Sequence, residues 1–317
     1  MNLFPFRKLP PALPSAGRVS VVVPLYNHAR FIEDAMRSAL DQGGTLRELI
    51  VVDDGSTDGG FAAVQRLAAQ DGRIIAWSQP NRGAHAAINA GVLRATGELV
   101  AILNSDDMFL PRRLDALAAA LDADPGVDLA ASGIAFMDAD GRAVPNAWYD
   151  EALAYLHAAG DMGTALVNAN VLMTTSNFML RRAAVERIGG MAPLRYAHDL
   201  DFALRLLALG GRIALLPDVL LRYRIHPGNT IAEAPDRVRA DWALASAAYL
   251  ALLWDRPGAS QPDWAQARAV QAVLERHSLL RAVHLSGLAL RRTGLSLDRS
   301  SLPNDAAFRA NLLEWLQ

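Results

Sequence analysis

The 317 residues carry 31 basic and 33 acidic side chains, for a formal charge of −2. This balance provides no basic field for nucleic acid and confines any phosphate-binding site to a local cluster. There is no cysteine, which excludes disulfides, zinc–thiolate centres and thiol nucleophiles and suits the cytoplasm. Lys8 is the sole lysine, so Walker-type phosphate loops and Schiff-base chemistry are excluded as well. A hydrophobic content of 52% is ample for a buried core.

The N-terminus, MNLFPFRKLPPALPSAG, is broken by prolines and reads as an extension over 1–17, not as a signal peptide. Val19–Val23 is a β-branched run, interrupted only by Ser20 and closed by Pro24, the pattern of a buried parallel strand. Phe31, Ala35, Met36, Ala39 and Leu40 then recur at helical spacing up to Gly43-Gly44. Leu49–Val52 is a second buried strand, and Asp58 can cap a helix running to Ala69. Ile74–Trp77 is a third strand, Ala84–Ala95 a helix and Leu99–Leu103 a fourth strand, with Pro111 opening the next helix. Strand and helix therefore alternate through residue 125, which predicts an α/β fold with a mainly parallel sheet and helices on both faces. Further strands are expected at Val127–Phe136, Met173–Leu180, Ile213–Leu216 and Val219–Tyr223, and a helix at Asp199–Leu209. From Pro235 the chain is rich in alanine, leucine and arginine and reads as helical, with breaks at Pro257-Gly258 and Pro262. Its longest apolar stretch, Trp242–Trp254, would reach about 20 Å as a helix against roughly 30 Å of bilayer hydrocarbon, so no transmembrane segment is expected. That stretch reads as core, with peripheral membrane contact as the alternative.

Three constellations carry chemistry. Asp53-Asp54-Gly55-Ser56-Thr57-Asp58 follows a buried strand, where a carboxylate can accept from a nucleobase imide or ribose hydroxyls. The bland alternative is a helix-capping turn, which Ser56 or Asp58 alone would satisfy. Asn104-Ser105-Asp106-Asp107 follows another apolar strand, and adjacent carboxylates there repel unless a hard divalent cation lies between them. His198-Asp199 opens a helix, where an aspartate is either a base for an acceptor hydroxyl or a complement to the helix dipole. His28, His85, His157, His277 and His284 read as ordinary surface or packed histidines, and Asp138–Gly141 as a hairpin turn.

The segments VSVVVPLYNHARFIEDAMRSALDQ, ELIVVDDGSTDGG and NRGAHAAINAGVLRATGELVAILNSDDMFLP resemble the nucleotide-binding half of family 2 glycosyltransferases, which have the GT-A fold. The similarity continues through RRAAVERIGGMAPLRYAHDLDFALRLLALG and LLPDVLLRYRIHPGNT, covering roughly residues 18–230. It implies a catalytic domain over 18–234, with a nucleotide-binding half at 18–125 and an acceptor half at 126–234, followed by a helical region at 235–317. On the matching positions, Pro24, Tyr26 and Asn27 lie beside the base and ribose, and Asp53 and Asp54 face the base. Asn81, Arg82, Gly83 and Asn89 border the ribose and diphosphate. Asn104 and Ser105 fill the first two places of D-x-D, Asp106 is the metal ligand, Asp107 sits beside the sugar, and His226 reaches the metal or diphosphate. Arg82 or Arg224 would contact phosphate, and Asp199 would be the catalytic base.

The resemblance thus implies an inverting transfer from a nucleoside diphosphate sugar, UDP-sugar favoured, to a glycan or glycolipid acceptor. The cofactor would be Mn²⁺ or Mg²⁺, and the setting the cytoplasm or the inner membrane face. Two departures stand out: Asn104 replaces the first aspartate of D-x-D, and His198 replaces the glutamate before Asp199. They keep open a catalytically silent sugar-nucleotide-binding or scaffolding subunit. A sugar nucleotidyltransferase would share the sheet, but Pro24-Leu25-Tyr26-Asn27 is unlike its glycine-rich phosphate loop, and the G-x-G-x-x-G of a dehydrogenase is absent. No Q-x-x-R-W motif of processive synthases is present, so addition of one or a few sugars is expected.

Overall fold

A computed structural model describes residues 17–254 and 264–317, so most of the expected N-terminal extension and the breaks at Pro257-Gly258 and Pro262 lie outside the described residues. The chain forms two compact units. One comprises Met1–Pro145, Thr174–Arg187 and Arg212–His226; the other comprises Asn146–Met173, Ile188–Gly211 and Pro227–Gln317.

The first unit is a mixed α/β layer structure. Its elements begin with β1 (Val19–Leu25), α1 (Ile32–Leu40), β2 (Leu46–Asp53), α2 (Gly60–Ala68), β3 (Ile74–Ser78), α3 (Ala84–Arg94) and β4 (Leu99–Ile102). There follow β5 (Met108–Phe109), α4 (Arg113–Ala123), β6 (Leu129–Met137), β7 (Ala143–Val144), β8 (Met179–Arg181) and β9 (Ile213–Arg224). Among the described residues these nine strands make one sheet in the order β3-β2-β1-β4-β8-β6-β9-β5, with β7 paired to β6. The pairs β1–β2, β1–β4, β2–β3 and β6–β9 are parallel, while β8 runs antiparallel to both β4 and β6. Every residue of β1 and β4 is buried, and so is all of β2 except Arg47. This is why these strands read as largely apolar runs, with Ser20 and Glu48 buried among them: helices cover both faces.

Close packing of α3 fixes one edge of that layer. Ala87 and Ala95 pack with Val22, Ile50, Val52 and Val100, with Trp77 against the cluster. Gly91 faces Val22 so closely that a Cβ there would lie 2.3 Å from Val22 Cγ1. Small residues on this helix therefore let its backbone approach the sheet. In register, Leu25 pairs with Asp53 and Val22 with Ile102, so the loops after β1, β2 and β4 leave the same edge. That edge is the carboxyl end of parallel strands, where open α/β sheets bind ligands.

Three sequence expectations are corrected. The two strands expected at Ile213–Leu216 and Val219–Tyr223 are one strand, β9, whose pairing with β6 shifts register on either side of Gly133. Pro217 and Asp218 bulge outward there, and glycine opposite eases the fit, since a Cβ at Gly133 would lie 3.1 and 3.2 Å from the Pro217 and Asp218 carbonyl oxygens. The strand expected over Met173–Leu180 survives only as β8, because Met173 has φ +69° and Thr174 Oγ1 accepts from Ser176 N at 3.2 Å, winding Thr175–Asn177 into a 3₁₀ turn. Between the strands expected at Val127–Phe136 and Met173–Leu180, where no element was expected, the chain forms two helices, Ala147–Ala159 and Met162–Asn168, capped where Asn146 accepts from Tyr149 N and Asp161 from Thr164 N.

The second unit is helical. Its central helix, Pro235–Trp254, packs on His198–Ala208 and on Leu280–Thr293, with Ala306–Trp315 alongside. Trp242 Nε1 donates to the Val167 carbonyl at 2.9 Å and Tyr249 is buried, so this face of the helix is core. Among the described residues no helix is long and apolar enough to cross a membrane.

Candidate active site

In the first unit, the loops at the sheet edge are tied to one another. Asn27 sits in the left-handed region at φ +52°, where its N–H donates to Ser56 Oγ at 3.0 Å and its Oδ1 accepts from Thr57 N at 2.8 Å. Asp58 accepts from both Ala29 N and Gly60 N, so it joins the loop after β1 to the start of α2. Pro24 is buried within β1, whereas Tyr26 is 48% exposed beside Asn27.

Both carboxylates at the β2 tip are 2% exposed and engaged by the protein. Asp53 accepts from Ser56 N at 3.1 Å and Ser78 Oγ at 2.6 Å. Asp54 faces the Gln79–Gly83 loop instead of a nucleobase. Its oxygens accept from Gln79 Nε2 at 2.9 Å, from Arg82 N at 3.0 and 3.1 Å, and from Gly83 N at 2.7 Å, which fills the capacity of a carboxylate. Gly83, at φ +91°, lets the backbone turn into α3, leaving Asn81 and Arg82 exposed; Asn89 lies half-buried on α3.

The β4 tip, the β1 loop and the end of β9 converge. His28, Asp106 and His226 each offer a ligand atom, all within 4.8 Å of one another. His226 Nε2 lies 3.1 Å from Asp106 Oδ2, and His28 Nδ1 lies 2.8 Å from Ser105 Oγ. Phe31 wedges against both imidazoles, at ring distances of 6.0 Å to His28 and 5.0 Å to His226. Burial pushes the Asp106 carboxyl up, but the hydrogen bond from His226 and the neighbouring imidazoles outweigh it and hold Asp106 below its usual range. A buried carboxylate kept ionised between two imidazoles is a donor set that fits a divalent first-row cation.

Behind this cluster lies a buried polar framework. Asp107 accepts from Arg224 N at 2.9 Å and Ser176 Oγ at 2.6 Å; burial and the adjacent Asp106 charge push its carboxyl well above the usual range. Its side chain is spent inside the fold, not displayed beside a sugar. Arg224, expected on phosphate, is 3% exposed and donates to the Asp106 and Ala139 carbonyls, with its guanidinium 4.7 Å from the Phe31 ring centre. Asn104 donates through Nδ2 to Thr174 Oγ1 at 2.9 Å and accepts from Thr175 Oγ1 at 3.0 Å, so an amide with both capacities suits this place. Arg113 is fully buried and donates to Ser132 Oγ, the Ser176 carbonyl and Asn177 Oδ1; burial pulls it down to about 9, still a cation at neutral pH.

In the second unit, Asp199 opens the helix His198–Ala208 and is 8% exposed. Burial raises its carboxyl above the usual range, against the opposing effects of His198, the Leu200 N–H and Asn170 Nδ2, which donates to Asp199 Oδ2 at 2.8 Å. His198 turns its Nδ1 to the Leu194 carbonyl at 3.1 Å. The segment leading into this helix is anchored from the C-terminal region. Tyr196 N donates to Asp241, Arg309 pairs with the same carboxylate at 2.6 Å, and Arg195 pairs with Glu233 at 2.8 Å. One turn on, the fully buried Arg205 pairs with Asp201 at 2.8 Å and donates to the Ile188 and Gly190 carbonyls.

A sequence profile described as glycosyl transferase family 2 matches residues 20–195, more than half of the chain. The chain belongs to this family. Among relatives of this glycosyl transferase family 2 member, an uncharacterized glycosyltransferase of Nostoc sp. is 29% identical over 67% of this chain and 66% of its own length. The succinoglycan biosynthesis protein ExoO of Rhizobium meliloti is 33% identical over 69% of this chain and 64% of its own. The chain thus spans a little under two thirds of both relatives. Among solved structures, S. aureus TarS 1–349 in complex with UDP-GlcNAc aligns over 94% of this chain and 90% of that one, with TM-score 0.55 and 18% identity. The mannosyltransferase PcManGT from Pyrobaculum calidifontis, in complex with GDP-Man and Mn²⁺, aligns over 98% of this chain and 87% of that one, with TM-score 0.55 and 22% identity. These likenesses establish the fold as GT-A. Within this family 2 chain, sequence reading placed Asp106 and His226 but passed over His28, Phe31, Arg113 and Asn170. Neither spacing nor composition marks those four, since each has a decisive partner between 29 and 198 positions away.

Proposed function

We propose that this chain moves a glycosyl group from a nucleoside diphosphate sugar, UDP-sugar favoured, to a hydroxyl of a glycan or glycolipid acceptor, with inversion at the anomeric carbon. The observation that carries the proposal is the His28–Asp106–His226 cluster at the carboxyl edge of a parallel sheet, with His28 and Asp106 inside the segment that matches the family and His226 beyond it. Asp106 and His226 would hold Mn²⁺ or Mg²⁺, which when bound neutralises charge on the departing diphosphate. Exposed Tyr26 and Asn27 bind the nucleoside, Asp53 and Ser56 shape the loop beneath it, and Asp54 holds Arg82 and Gly83 toward the diphosphate. Arg82, free of carbonyl duties of the kind that occupy Arg224, supplies the charge-assisted phosphate contact. Asp199, kept buried and anchored by Asn170, accepts the acceptor proton as its oxygen attacks. ExoO, named for succinoglycan biosynthesis, and TuaG of Bacillus subtilis, named for teichuronic acid biosynthesis, support surface polysaccharide assembly as the setting. The nucleotide sugars in the TarS and PcManGT structures support a nucleoside diphosphate donor.

The test is a thermal-shift screen of nucleotide sugars with and without Mn²⁺, followed by donor turnover in wild type and Asp199→Asn. A stabilising donor, metal-dependent turnover and an inactive Asp199→Asn that still binds donor are expected. Donor binding without turnover in wild type would assign a silent binding subunit. Equal turnover in both proteins would remove Asp199 from the mechanism.

A further inference from the structure

We infer that His28 is a third protein ligand of the divalent-cation site, giving a two-imidazole, one-carboxylate centre that selects Mn²⁺ over Mg²⁺. The inference rests on the metal-dependent reading above and deepens it. The family resemblance brings Asp106 and His226 to the ion; it says nothing of His28, which sits in the loop after β1.

The geometry argues for ligation. Donors about 2.1 Å from a shared ion lie at most about 4.2 Å from each other, so three donor atoms within 4.8 Å need only small rotations to close on one ion. The ring of His28 is held for that purpose. Its carbonyl accepts from Phe31 N and Ile32 N at 3.0 Å each, fixing the backbone as the first turn of α1. Ser105 Oγ fixes the ring at Nδ1, and Phe31 packs on its edge. The two imidazoles stand edge to face at 5.5 Å, both against the Asp106 side. A histidine needed only to satisfy Ser105 would not require a second imidazole and an ionised carboxylate around the same point.

The donor set decides the metal. Mg²⁺ takes oxygen ligands and gives up its waters reluctantly, whereas imidazole nitrogen favours first-row transition ions. Two nitrogens in place of one therefore widen the preference for Mn²⁺. An ion held by three side chains keeps its remaining positions for water and diphosphate oxygens.

The experiment is Mn²⁺ binding to the full chain by electron paramagnetic resonance, with and without UDP, together with electron spin-echo modulation to count coupled imidazole nitrogens. Wild type should show two, and His28→Asn and His226→Asn one each. Mn²⁺ affinity in His28→Asn should fall about tenfold or more, and Mg²⁺ affinity, read by competition, by less than about threefold. One coupled nitrogen in wild type that persists in His28→Asn and vanishes in His226→Asn overturns the role of His28 while leaving the metal site in place. No bound Mn²⁺ in wild type under either condition overturns the metal-dependent reading as a whole. The wild-type count stands whether or not a variant folds.

Discussion

Replacing Asp54 by asparagine separates two roles for this carboxylate. If it builds the Gln79–Gly83 loop, the substitution strikes the fold before it strikes the ligand. The carboxylate accepts four contacts from three donors, with Arg82 N shared between both oxygens and Gly83 N the shortest at 2.7 Å. With its NH₂ at the Oδ2 position the new amide strands the Gly83 N–H; with its NH₂ at Oδ1 it strands Gln79 Nε2, and in either case Arg82 N keeps one oxygen. One charge-assisted bond lost costs about 1.5–3 kcal/mol, and the stranded donor adds a penalty that water reaching exposed Arg82 partly relieves, for a net cost of about 2–4 kcal/mol. For a unit of this size, about 2–4 °C per kcal/mol, the melting temperature should fall by about 4–16 °C. Scanning calorimetry measures this, with UDP titration calorimetry on the same samples. A variant that melts with wild type and loses only UDP affinity would refute the reasoning and return Asp54 to the nucleobase.

On the proposed mechanism, Asp199 sets the acid limb of the rate profile. Its carboxyl is raised by burial, and only the deprotonated form accepts a proton, so kcat/KM should rise with pH through a midpoint above the ordinary value of about 3.9. Asn170→Ala removes a donor that favours the charged form and should move that midpoint further up; an unmoved limb contradicts the assignment. Arg205→Met leaves Asp201 buried without its cation and should cost about 3–5 kcal/mol in urea unfolding, with part recovered on adding Asp201→Asn. A loss below about 1 kcal/mol would show that Asp201 is neutral in the fold. Gly91→Ala drives a methyl into Val22 and should destabilise the first unit by about 1–3 kcal/mol; an unchanged unfolding midpoint would mean that α3 moves freely off the sheet.

Strands β1, β2 and β4 were legible because covered parallel strands are largely apolar; Leu49–Val52 carries that signature without interruption, and Val19–Val23 is broken only by Ser20. The loops at their tips were legible as sites because polar clusters end those runs. What each side chain does there was not. Asp54, Asp107 and Arg224 carry the charge expected of ligand contacts, yet each finds its partners in backbone or side chains 25 to 118 residues away. His28 shows the converse, an unremarkable residue made notable by tertiary convergence. Pro217 looked like a strand break because a proline ends most ladders, but Gly133 across the pair makes room for a bulge. The caps at Asn146 and Asp161 were present in the sequence, and weighing them would have found the two missed helices.

The position of β8 has a consequence for how the chain is made. It fills the gap between β4 and β6, yet the whole of 145–178, 34 residues, separates it from the β6–β7 hairpin. As the nascent chain leaves the ribosome, β1 to β4 can assemble, but the free edge of β4 stays unpaired until Met179–Arg181 emerges. The last parallel pair waits longer still, for Arg224. The corner that brings His28, Asp106 and His226 together is therefore among the final parts of the sheet to be completed, and any pause in translation between residues 145 and 224 holds the protein in the state where its open strands are most prone to self-association.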